Sequence, residues 1–152
     1  MKINLMKPHP TRRNQAWAVD FAVLDAKGRP FVMIVVDVHT RLPLSATVSL
    51  GLADDFTAIL DRLSRRLGFP EEIWIDGGRH AQALQTWAEP HGISVAHGPS
   101  PQIRAVTELR LRDLCMSLLR KGCASLMELG HEAERWRQSY PAIPKPFSEV
   151  NQ

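Results

Sequence analysis

Cysteine is scarce in this chain: only Cys115 and Cys123 occur among 152 residues. On a helical stretch their Cα atoms would lie roughly 12 Å apart at 1.5 Å per residue, too far for a disulfide, so both are expected as reduced core thiols. Long apolar runs are missing too. No window approaches eighteen uninterrupted apolar residues, so no helical membrane span is expected. The opening Met1-Lys-Ile-Asn-Leu-Met6-Lys7-Pro8 is basic but lacks the apolar core of a secretory signal, and a cytoplasmic location follows as the expectation. The six histidines (His9, His39, His80, His91, His97, His131) show neither an H-x-x-x-H nor a Cys/His spacing, which argues against a zinc site. No segment repeats another.

What is present suits one compact α/β domain. The hydrophobic share is 44% and the charged share 23%, ordinary values for a soluble globular chain of a length that can bury a core. The formal net charge of +3 is mild, but arginine outnumbers lysine by fourteen to five. A planar guanidinium can grip phosphate with two parallel hydrogen bonds, so this bias is compatible with nucleic-acid binding without demanding it.

Residues 1–15 carry Lys7, Pro8, Pro10, Arg12 and Arg13 without periodicity and read as a flexible leader. Three strand-like runs follow with short connections, Trp17–Leu24, Phe31–Val38 and Leu42–Leu50, a three-stranded antiparallel meander. The second is almost wholly apolar, as a strand covered on both faces would be. The third contains Pro43 and alternates with Ser and Thr, the pattern of an edge strand. Leu52, Phe56, Ile59, Leu60, Leu63 and Leu67 then recur at helical spacing until Gly68 and Pro70 stop the helix. A strand Ile73–Asp76, a helix Ala81–Glu89 and a strand Ile93–His97 come next. Gly98-Pro-Ser-Pro101 reads as a loop, and helices over about Ala105–Lys121 and Leu126–Tyr140 precede a Pro-rich tail. The expected division is a leader at 1–15, a core at 16–122, and a C-terminal helix and tail at 123–152 packing on that core.

Three acids stand out from this frame. Asp20 ends Trp17-Ala-Val-Asp20, Asp76 ends Ile73-Trp74-Ile75-Asp76, and Glu108 opens a helical run. Carboxylates delivered from two strands and a helix can converge on a pair of divalent metals, the arrangement that phosphoryl transfer on nucleic acid requires. Each acid also has a plainer reading. Asp20 and Asp76 could be solvated strand ends, and Glu108 has Arg112 at i+4 for an ordinary surface pair. Asp37 reads as an anchor for its strand end, with Arg41 as a partner. Trp74 and Trp87 read as core, and Arg110, Arg112 and Arg120 as either a phosphate-facing row or a solvated helix face.

The residues around the acids resemble the catalytic core of retroviral integrases and bacterial insertion-sequence transposases. Trp17-Ala-Val-Asp20 looks like that family's W-x-x-D strand. Asp37-Val-His-Thr40-Arg41 looks like its D-x-x-[ST]-R strand end. Gly68-Phe-Pro70 followed by Asp76-Gly-Gly78 resembles its G-x-P…D-[NH]-G passage, and the step from Pro101 to Glu108 matches its proline-to-glutamate spacing. Trp136 and Tyr140 resemble its W-x-x-x-Y pattern. The chain departs from the family at Gly77, at Arg104-Ala105 where Asn-Gly is usual, at Ala81 where Phe is usual, and in the shorter spacing of 31 residues between Asp76 and Glu108.

The resemblance implies a ribonuclease-H-like fold with a five-stranded mixed sheet in the order 3-2-1-4-5. It implies Asp20, Asp76 and Glu108 as catalytic and metal ligands for two Mg²⁺ or Mn²⁺ ions, with Asp37 and His80 behind them. It implies DNA as the partner, held by Arg110, Arg112 and Arg120, and DNA cleavage and strand transfer (integration, transposition) as the activity; Arg104, though a departure from the family, is a further candidate for the DNA contact. Strand transfer at paired ends points to a homodimer. No helix-turn-helix is expected before Trp17 and no further DNA-binding domain after Tyr140, so a separate end-recognition subunit is a further expected partner. The departures support an alternative, a non-catalytic DNA-binding or assembly module that retains the fold.

Overall fold

Alternation along the first strand decides which layer each of its side chains meets. A computed structural model describes residues 9–51, 55–78, 80–97 and 100–141. In β1 (Ala16–Val23), Ala16 and Ala18 point to one face of the sheet while Trp17 and Val19 point to the other. The same two-residue period continues in β2 (Phe31–Asp37), where Val32, Ile34 and Val36 oppose Met33 and Val35, and in β4 (Glu72–Ile75), where Trp74 opposes Ile73 and Ile75. With both faces covered, Val32 to Val36 are all essentially inaccessible to solvent, as the apolar run in the sequence requires.

β3 (Pro43–Ser49) lies at one edge and β5 (Ser94–His97) at the other, giving the order β3-β2-β1-β4-β5. β1 pairs antiparallel with β2, and β2 with β3, whereas β1–β4 and β4–β5 are parallel. This is the mixed sheet of the ribonuclease-H-like architecture. Pro43 opens the edge strand, where its missing N–H costs no ladder bond, and a bulge between Val35 and Val36 shifts the register beside it.

Two helical layers cover the sheet. α1 (Asp55–Leu67) and α2 (Ala81–Ala88) bury Phe56, Ile59, Leu60, Leu63, Leu84 and Ala88 against the Trp17 face. α3 (Pro101–Lys121) and α4 (Leu126–Gln138) bury Ile103, Leu114, Leu118, Leu129, Ala133 and Trp136 against the Ala18 face. α3 begins four residues before the expected Ala105. Ser100 caps it, accepting from Ile103 N at 3.4 Å, and Pro101 supplies a first-turn residue whose φ is already helical. The segment that reads as a loop by composition is thus partly a helix-start signal. α3 ends at Gly122, whose φ of +63° is the left-handed cap glycine adopts without strain. Cys123 therefore lies beyond the helix; both thiols are unpaired and packed at the margin of the core.

Residues 1–8 lie outside the described residues, but His9 to Gln15 are fastened to the domain. His9 meets Trp74 edge-on, and Arg12 pairs with Glu71. Asn14 accepts from Trp17 Nε1 at 2.7 Å and donates to Leu67 O at 2.8 Å. Trp74, Glu71 and Leu67 are distant in sequence, so a pattern search along the segment finds no periodicity. The Pro-rich tail beyond Pro141 lies outside the described residues. α4 is joined to α3 by Asp113, which accepts from Trp136 Nε1 at 2.9 Å and Tyr140 Oη at 3.2 Å. No helix among the described residues is long and apolar enough to cross a membrane.

Candidate functional site

The parallel register pairs Val19 with Ile75 at the end of the β1–β4 ladder. One residue further on, Asp20 and Asp76 stand beside each other, on the face that α3 covers. Asp20 is largely withdrawn from water, and that burial pushes its carboxyl above the ordinary aspartate range. Hydrogen bonds from Phe21 N (2.8 Å) and Thr107 Oγ1 (3.0 Å) oppose the shift, while the negative charges of Asp76 and Glu108 add to it. The three acids therefore share one electrostatic neighbourhood.

They do not converge equally. α3 turns Thr107, 1% exposed, onto Asp20. Glu108 is the next residue, about 100° further round the helix. Its carboxylate takes the Arg112 guanidinium at 3.3 Å, with both side chains more than half exposed. Among the described residues no three acidic, histidine or cysteine side chains gather closely enough to hold a metal ion. Asp76 accepts from Ser100 N at 3.0 Å, and its other oxygen lies 3.6 Å from Arg104 Nε. The helix cap and the aspartate thus fix one another, and Arg104 reaches Asp76 rather than Glu108 because it stands on the first turn of α3.

The remaining candidates separate clearly. Asp37 is fully buried and accepts from Asn14 N (2.6 Å), Thr40 N (2.8 Å) and Thr40 Oγ1 (2.8 Å), so it anchors the chain rather than facing the pair. The Arg41 side chain goes to Ala105 O at 3.3 Å instead of Asp37. His80 sits in an aromatic group with Phe21 (4.7 Å between centroids) and Phe56 (6.2 Å). Arg110 donates to Arg41 O at 3.1 Å and lies 4.8 Å from the Tyr140 ring centre, a seam between α3, α4 and the β2–β3 turn. Arg120 is exposed in the last turn of α3. Trp87 donates to Asp61 Oδ1 at 2.8 Å, and Trp74 is buried in the core.

Thr107 and Ser100 do not emerge from motif reading. Thr107 falls four residues after Ile103 and four before Leu111, a polar residue on the buried stripe of its helix. That position was the available signal. Cys115 lies on the same helix, and burial followed by the charge of Asp20 raises its thiol.

The four carboxylate oxygens of Asp20 and Asp76 each face one protein donor or cation. An ionised carboxylate offers about four lone-pair sites, so each oxygen keeps capacity for a further ligand. Hard, paired, partly buried oxygens are the kind of ligand that Mg²⁺ or Mn²⁺ takes, and a cation held there would relieve the repulsion between them.

No family model and no curated protein matches this chain. A solved structure of the catalytic core domain of BIV integrase is similar, with a TM-score of 0.66 at 18% identity, over 89% of this chain and 88% of the other. At that identity the likeness establishes an integrase-like fold.

Proposed function

We propose that this chain is an integrase-type core that cleaves and transfers DNA strands with a divalent cation held by Asp20 and Asp76. The observation that carries the reading is the pair itself: two adjacent carboxylates, one raised by burial, in a fold shared with an integrase core. Structural ion pairs match opposite charges, whereas two acids placed together out of water call for a cation. When bound, Mg²⁺ or Mn²⁺ would polarise a phosphate oxygen and lower the pKa of a bound water or 3′-hydroxyl. The chain's own part is to hold the carboxylates still. Phe21 N and Thr107 fix Asp20, and Ser100 N fixes Asp76. Glu108 stands at the margin, available to a second position only when released from Arg112.

The test is nicking of duplex DNA in millimolar Mn²⁺. Wild-type chain should nick, and Asp20→Asn and Asp76→Asn should not. Loss of activity without loss of thermal stability would support the assignment; equal activity in all three would refute it.

A second reading, a DNA-binding or assembly module without catalysis, is favoured by Arg104 on Asp76 and by the Glu108–Arg112 pair. It predicts salt-sensitive duplex binding with no nicking at any metal concentration. Under either reading we propose a homodimer. Leu109, Met116, Leu119 and Met127 are 67%, 57%, 47% and 72% exposed on α3 and α4, whereas Leu129 and Trp136 are buried within the chain. Sedimentation at micromolar concentration should give twice 17.1 kDa; 17.1 kDa at every salt concentration would exclude the dimer. An end-recognition subunit remains a proposed partner, since joining specific DNA ends needs a sequence reader.

A further inference from the structure

Resting on that functional reading, we propose that the centre takes one divalent cation rather than two, and that the Arg104 guanidinium supplies the second positive charge at the reacting phosphate. Three observations carry this. First, among the described residues two carboxylates stand together at the site, and the third acid of the motif is turned to Arg112. Two neighbouring dications need several anionic ligands between them to offset their repulsion, and Asp20 with Asp76 provides two negative charges. Second, the side of Asp76 away from Ser100 is already served by a cation, Arg104 Nε, 3.6 Å from Oδ2. Third, Arg104 engages Asp76 through Nε, its guanidinium makes no other hydrogen bond or ion pair among the described residues, and its side chain is 52% exposed. Its two terminal nitrogens can then turn to an incoming ligand. They form the planar fork that fits two oxygens of a phosphate.

Placement makes this more than a surface pair. Arg104 sits on the first turn of α3, and Thr107, three residues later, is locked to Asp20. The rotation of the helix thus sets where Arg104 leaves the backbone, and its ion pair with Asp76 brings the guanidinium to the carboxylates. In the reaction, a water or hydroxyl oxygen forms a bond to phosphorus as the bond to the leaving oxygen breaks. The nucleophile gives its proton to solvent and the leaving oxygen takes one up, with no oxidant or reductant involved. Negative charge developing on the non-bridging oxygens would meet the N–H groups of Arg104. Arg104 is then a catalytic residue, and its occupation of the Asn-Gly position of the resembled motif becomes a functional substitution.

The experiment is a Mn²⁺ titration of the full chain, counting bound ions by electron paramagnetic resonance, run beside the nicking assay. Wild-type chain should bind one Mn²⁺, and Asp76→Asn should lose it. Arg104→Gln should still bind one Mn²⁺ while nicking falls on the order of 10²–10³-fold, the loss typical of removing one preorganised donor. Arg104→Lys should recover part of the activity. Circular dichroism checks that each variant is folded, which the exposure of Arg104 favours. Two Mn²⁺ of similar affinity per wild-type chain, or undiminished nicking in Arg104→Gln, would overturn the proposal while leaving the functional reading intact. Absence of both Mn²⁺ binding and nicking in the wild type would overturn both.

Discussion

Thr107 donates its hydroxyl hydrogen to Oδ2 of Asp20 at 3.0 Å, across 87 positions of sequence. The bond follows from the rotation of α3, which the burial of Ile103, Val106, Leu111, Leu114 and Leu118 against the sheet sets. With Thr107 turned inward, Arg104 lies over Asp76, and Glu108 turns outward to Arg112. Removing the hydroxyl tests that coupling. Thr107→Val keeps the shape but leaves Asp20, largely withdrawn from water, short of a donor. It should cost about 1–3 kcal/mol, the range for a buried polar group left without its partner, measured by urea unfolding.

Asp20 should make the metal-free chain less stable as pH rises. Burial raises its folded pKa above the unfolded value, so between the two the folded state holds the extra proton. Stability is then lost as pH climbs from the ordinary aspartate range through the raised value, and the full penalty remains above it. Asp20→Asn should raise the melting temperature at pH 7, by about 2–4 °C for each kcal/mol relieved. The gain should vanish below the ordinary aspartate range. Added Mn²⁺ should stabilise wild type and not the variant. A wild type more stable than Asp20→Asn at pH 7 without metal would contradict the sign.

Asp37 should behave as structure rather than as chemistry. Asp37→Ala strands the N–H groups of Asn14 and Thr40 and the Thr40 hydroxyl, at about 1–3 kcal/mol for each buried group left without a partner. A loss of roughly 3 kcal/mol or more in urea unfolding is expected, and Mn²⁺ stoichiometry should stay unchanged in the fraction that remains folded.

The C-terminal helix should prove integral to the domain. Trp136 is 6% exposed in the core shared by β1, β2 and α3, and its indole donates to Asp113. Trp136→Ala should cost about 3–5 kcal/mol, and unfolding should stay a single transition. An early, separate loss of α4 would show that it folds independently.

Glu108→Gln should barely change stability, within about 0.5 kcal/mol, because its pair with Arg112 is solvent-exposed. Binding of the single Mn²⁺ should also be unaffected. Any effect on nicking alone would show that Glu108 joins the centre only with DNA bound.

The sequence by itself determined the sheet and its two faces. The alternation in Trp17–Val19, the unbroken apolar run from Val32 to Val36, and Pro43 at an edge each have a local physical cause, and each stands where that cause places it. The order β3-β2-β1-β4-β5 came from motif likeness rather than from periodicity, because pairing between β1 and β4 is a long-range choice. It brings Asp20 and Asp76 together. Tertiary structure alone decided what surrounds them. The Ser100 cap starts α3 at Pro101, so Arg104 is helical and reaches Asp76. The burial of α3's apolar stripe turns Thr107, not Glu108, toward Asp20. Spacing along a chain can bring an acid to a helix, but the helix's rotation is set by packing against the whole sheet. One residue of difference in that rotation separates an inward threonine from an outward glutamate.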